Sequence, residues 1–111
     1  MTIAPGGTLA PHTHPGDQLI WLESGTLRLV VVDGEVPIQR ASSNGTPGPN
    51  EVISSGGETD LHPGDSWVEP AGVIHYGVNA GSEPGVLWAA TLYPAGQPPA
   101  NPVAPAATPA P

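Results

Sequence analysis

The chain of 111 residues has no cysteine, no phenylalanine and no lysine. Without cysteine there is no disulfide, no thiolate ligand and no thiol nucleophile, and cysteine usage gives no clue to redox compartment. Arg28 and Arg40 are the only strong bases against ten acids, for a formal net charge of -8. That balance excludes a basic stripe for nucleic acid and disfavours docking on an anionic membrane. The acidity is read as a solubility device. No apolar run approaches the roughly 20 residues that cross a bilayer as a helix. The opening Met-Thr-Ile-Ala-Pro-Gly lacks the charged region and apolar core of an export signal, so a cytoplasmic location is expected. A serine nucleophile elbow, a phosphate loop and a dinucleotide fingerprint are missing too, and the chain has no internal repeat.

Abundant instead are glycine (15) and proline (16), which break any helical stripe. Between them stand short apolar runs, the punctuation of an all-β domain. Strands are predicted over residues 18–23, 26–32, 36–39, 51–53, 59–61, 66–69, 75–79 and 86–93. Val30-Val31-Val32 and Val86-Leu87-Trp88 have the β-branched and aromatic content that strands favour. Asp33-Gly34 has the composition of a two-residue hairpin turn. Residues 41–50 are polar and rich in breakers, and read as a surface connection or, in a sharper reading, a lid. One domain is expected over residues 1–93. Residues 94–111 hold seven Pro and six Ala with no charge, and are expected to be a disordered tail.

Two stretches have a spacing that carries chemistry. Gly6, His12, His14, Gln18 and Gly25 are separated by five, one, three and six residues. Gly64, Pro70, Gly72, His75 and Asn79 are separated by five, one, two and three. Alternation along a strand places His12 and His14 on one face, and Gln18, Ile20 and Leu22 return to that face after the Pro15-Gly16-Asp17 turn. Leu19, Trp21 and Glu23 then point away. Imidazole nitrogens suit Fe, Mn, Zn, Ni or Cu, and three of them leave positions open for water or substrate.

These stretches resemble the two conserved motifs of the cupin family at every position but one: Gln18 stands where the family has Glu. The resemblance implies a jelly-roll β-barrel that brings His12, His14 and His75 together around a divalent transition metal. In that family one or more strands usually precede the first motif, so N-terminal strands are expected to be missing here. Gln18 is expected either to ligate the metal or to hydrogen-bond a water on it. As a neutral amide it leaves the ion its full charge, and it cannot act as the general base that a carboxylate provides in quercetinase-like cupins. Ile20, Leu22, Leu27 and Leu29, with Val31, are the expected apolar lining of a small-molecule pocket.

His62 reads as an exposed turn histidine, Asp17 as a turn residue and Glu69 as a solvated carboxylate or, in a sharper reading, one facing the pocket mouth. Trp67, Tyr76, Trp88 and Tyr93 read as core or interface. The resemblance implies a metal-dependent oxidoreductase of the dioxygenase type acting on a small organic substrate. The alternatives are a non-catalytic ligand-binding or structural cupin, and a metal-dependent isomerase or lyase. A homodimer is expected, because open strand edges invite pairing.

Overall fold

The structure, a computed structural model, describes residues 1–96, 98 and 100–103. Eleven strands run in chain order: β1 (Thr2–Ile3), β2 (Thr8–Thr13), β3 (Asp17–Ser24), β4 (Leu27–Asp33), β5 (Glu35–Gln39), β6 (Asn50–Ser54), β7 (Glu58–Leu61), β8 (Ser66–Glu69), β9 (Ile74–Val78), β10 (Gly85–Leu92) and β11 (Asn101–Pro102). They form two antiparallel sheets, ordered β1-β10-β3-β8-β5-β6 and β11-β2-β9-β4-β7. No helix occurs among the described residues, so none is long and apolar enough to cross a membrane.

The alternation expected from the sequence decides which faces meet. On β4, Leu27, Leu29 and Val31 are buried; on β3, Ile20 and Leu22 are. Val36, Ile38, Leu61 and Trp67 complete the core between the sheets. Each such side chain stabilises the fold by about 1.5–3 kcal/mol relative to exposure. Leu19, Trp21 and Trp88 point outward, and the two indoles stack with centroids 6.2 Å apart.

Three expectations need correcting. Asp33-Gly34 does not close a hairpin, because β4 and β5 belong to opposite sheets. Gly34 carries the chain from one sheet to the other at φ 114°, where a Cβ would meet the Val73 side chain at 2.8 Å. Second, β2 was not among the predicted strands. It contains a bulge, Leu9 pairing Gly77 and His12 pairing His75, which breaks simple alternation. Third, Asn101–Pro102 in the stretch read as a tail pairs with Thr13 and His12 of β2. Proline is tolerated there because β11 is the edge of its sheet. The remainder of that stretch, 97, 99 and 104–111, lies outside the described residues.

Arg40 ties the segment between the two motifs to the second. Its guanidinium donates to Asp65 (2.8 Å), Glu51 (2.6 Å) and Thr59 (2.7 Å). Asp65, 2 % exposed, also accepts from the backbone of Ala41 and His62, each at 2.8 Å. Burial pushes its carboxyl up, but these amide donors and Arg40 outweigh it and hold the carboxyl below its ordinary value. A depressed native pKa adds stability that is complete above the unfolded value, about 3.9, and is lost as pH falls through the native one. Asp65→Asn is therefore expected to cost about 2 kcal/mol at pH 7 and less at pH 3. Urea unfolding at the two pH values measures the difference.

Candidate metal centre

His12 lies on β2, His14 one residue past its end, and His75 on β9, paired directly with His12. The bulge in β2 lets Leu9 and His12 both face inward although they are three residues apart. The opposite sheet supplies Gln18 at the start of β3 and Glu69 at the end of β8, which pair across the strands. Two ties lock the turns of the two motifs together: Ala71 N donates to Asp17 Oδ1 (3.0 Å) and Gly72 N to His14 O (3.2 Å). Asp17 thus has the turn role expected of it. His62 is exposed, also as expected.

His12 stands T-shaped to both His14 and His75, which are tilted to each other, with ring centroids 4.3 to 5.0 Å apart. His14 and His75 are buried, His12 half-buried. One ligand atom from each of His12, His14, Glu69 and His75 lies within 4.8 Å of the others. Their hydrogen bonds orient the nitrogens. His12 Nδ1 donates to Ala10 O (2.7 Å) and His75 Nδ1 to Val73 O (3.0 Å). The Tyr93 hydroxyl donates to Gln18 Oε1, so His14 Nδ1 must be the donor in its 2.9 Å contact with the Tyr93 oxygen. His14 Nε2 and His75 Nε2 then face Glu69 Oε1 at 2.9 Å each, the His14 contact being a hydrogen bond.

Glu69 corrects the expectation of a solvated carboxylate. It is 5 % exposed, and its Oε1 lies 2.9 Å from Nε2 of both His14 and His75. Burial would raise its carboxyl, but His14, His75 and the Trp67 indole (Nε1 to Oε2, 2.9 Å) hold it at about 2. Buried His75 Nε2 has no hydrogen-bond partner among the described residues. Burial lowers the pKa of His12, reinforced by His75 and His14. Three imidazoles and a buried carboxylate converging in this way are a donor set that could hold a metal ion. Donors at right angles on an ion with bonds of about 2.1 Å stand about 3.0 Å apart, close to the 2.9 Å separations here. By donor type, three imidazoles and a carboxylate, the residues suit a divalent transition metal.

Tyr93, read from sequence as core or interface, instead joins His14 to Gln18 and stacks on the His14 ring. Gly16 makes this possible: a Cβ there would lie 1.9 Å from Leu92 O, so only glycine lets the end of β10 pass so close. Burial and the Glu69 charge raise the phenol's pKa, keeping the hydroxyl protonated. The site opens into a cavity of about 320 Å³ walled by Leu9, Ile20, Leu27, Leu29 and Leu87, with Gln18 on the same wall. Leu22 and Val31, expected to line it, are fully buried in the core and do not. No residue of 41–50 lines the cavity.

The Cupin family model matches residues 1–96, most of the chain. The chain is a cupin. It is 38 % identical over 86 residues to germin-like protein subfamily 1 member 20 of Arabidopsis thaliana, covering 78 % of this chain and 32 % of that one. Member 7 of the same subfamily is likewise 38 % identical, with 31 % of it covered. This cupin therefore spans about a third of the length of these relatives. Among solved structures, E. coli ycfD superposes with a TM-score of 0.54 at 21 % identity, covering 86 % of this chain and 25 % of that one. A variant of Bacillus subtilis oxalate decarboxylase gives 0.52 at 23 %, covering 82 % and 22 %. At such identity these two structures establish the shared barrel.

Proposed function

We propose that this cupin is a metal-dependent oxidoreductase of the dioxygenase type, acting on a small, partly apolar organic molecule. The observation that carries the reading is the convergence of three imidazoles at the wall of a mostly apolar cavity of about 320 Å³. His12, His14 and His75 would hold the ion, through nitrogens whose partners on the far side of each ring are already set. A redox-active divalent ion supplies electron transfer and activation of dioxygen. The chain supplies the rest. Leu9, Ile20, Leu27 and Leu29 hold the apolar part of a substrate and keep water out, and the amide of Gln18 offers a polar contact beside the imidazoles. A second copy of the chain is proposed to pack on the outer face that carries Trp21 and Trp88.

The test is oxygen uptake by protein loaded with iron or manganese, over a panel of small hydroxy acids, diols and thiols. Uptake abolished by His75→Ala supports the reading. Turnover without oxygen would point to an isomerase or lyase, and binding without turnover to a ligand-carrying cupin. Leu9 is partly buried on the cavity wall, so Leu9→Trp fills space without overpacking the core. That variant is expected to raise KM at least about tenfold while metal affinity stays unchanged, as steady-state kinetics and metal titration would show.

A further inference from the structure

Resting on the reading that the three imidazoles bind a metal, we infer that Glu69 is the anionic ligand and that Gln18 has become a positioning residue for His14. The carboxylate has crossed from one strand of a pair to the other. Gln18 and Glu69 are direct partners across β3 and β8, so their side chains share the inward face. A carboxylate lost at one position can therefore be replaced at the other without moving the backbone.

The surroundings of the two residues separate their roles. Glu69 Oε1 sits between His14 Nε2 and His75 Nε2 at 2.9 Å from each, while its Oε2 is held by the Trp67 indole at 2.9 Å. This is a carboxylate anchored on one oxygen with the other presented to the imidazoles. Its buried charge has no arginine to meet it. Arg28 pairs with Asp60, and Arg40 with Glu51 and Asp65. A bound cation is the partner that fits. Gln18 Oε1 is instead engaged by the Tyr93 hydroxyl. That acceptor sets the direction of the Tyr93 proton, which makes the Tyr93 oxygen the acceptor for His14 Nδ1 and fixes the ring with Nε2 toward Glu69 Oε1, 2.9 Å away. A carboxylate at position 18 would accept the same hydroxyl, so the exchange is reversible in principle.

Calorimetric titration of metal-free protein with Mn²⁺ alone and with Zn²⁺ alone tests the assignment. The unaltered chain should bind one ion. Glu69→Gln should weaken binding at least about 100-fold, beyond what loss of an orienting partner costs. The double variant Gln18→Glu/Glu69→Gln, which moves the carboxylate back across the strand pair, should return affinity to within about tenfold of the unaltered chain. Tyr93→Phe should cost about ten- to a hundredfold, less than Glu69→Gln, as expected of a group acting through His14. Glu69→Gln binding like the unaltered chain overturns the inference, as does a folded double variant that stays as weak as a chain without the carboxylate. The double variant keeps one carboxylate and one amide at the site, so it decides the matter even where Glu69→Gln alone does not fold. If the unaltered chain binds neither ion, the metal reading itself falls.

Discussion

Loading this cupin with a divalent transition ion is expected to raise its thermal unfolding midpoint by at least about 15 °C, and chelation to reverse the gain. The four converging side chains come from positions 12, 14, 69 and 75, so the unfolded chain has no such site. An ion that binds only the folded state at about 1,000 times its Kd adds about 4 kcal/mol. In a domain of this size each kcal/mol moves the midpoint by about 4–8 °C. His75→Ala should cut affinity at least about 100-fold, which removes about 2.7 kcal/mol, or roughly two-thirds of the gain. The substitution also removes the buried nitrogen that has no hydrogen-bond partner, so the metal-free variant should remain folded. Scanning calorimetry with and without chelator provides both readings. A midpoint indifferent to Mn²⁺, Fe²⁺ and Zn²⁺ would show that the imidazoles do not form a metal site.

Much of this site was legible in the order of residues, because its parts obey the two-residue period of a strand. His12 and His14 share a face by that rule, and Gln18, Ile20 and Leu22 follow. The barrel was legible for the same reason, with β3 and β4 falling within a residue or two of their predicted limits. Where the period breaks or its range ends, the reading failed. The bulge in β2 hid a strand whose inward residues are three apart. Glu69 was read as solvated because a carboxylate usually is. Its phase carried a signal nonetheless: it lies two residues after Trp67, which was read as core, and so faces the same way. Leu22 satisfied the period but stands in the core away from the cavity, since alternation assigns a face and not a depth. Tyr93 reaches His14 through a close approach at Gly16, a tertiary contact no local pattern encodes.

Asn79 closes the second motif, and its replacement should be the most damaging single change remote from the metal centre. Its side chain is fully buried and uncharged. It acts as a clamp. Nδ2 donates to Ile3 O (2.9 Å) and Glu83 O (2.8 Å), and Oδ1 accepts from Gly81 N (3.0 Å). Its backbone adds Asn79 N to Gly7 O (2.9 Å) and Gly6 N to Asn79 O (2.8 Å). The N-terminal segment, the end of β9 and the 81–83 turn thus meet on one residue. Asn79→Ala removes three side-chain hydrogen bonds and strands their buried partners, an expected cost of about 3–4 kcal/mol out of the roughly 5–15 kcal/mol that holds a domain together. Asn79→Asp discriminates between lost packing and lost donors. It conserves volume, but an ionised carboxylate would face two carbonyl oxygens with no proton to give. That variant should be at least as unstable as Asn79→Ala at pH 7. Burial beside two acceptors raises the new carboxyl's pKa in the folded state. A raised native pKa means that stability is gained as pH falls, so the variant should recover part of its loss near pH 4, where the protonated acid again offers a donor. Urea unfolding of the three proteins at both pH values measures this. An Asp variant equal to the parent at pH 7 would show that the two carbonyls do not need Nδ2.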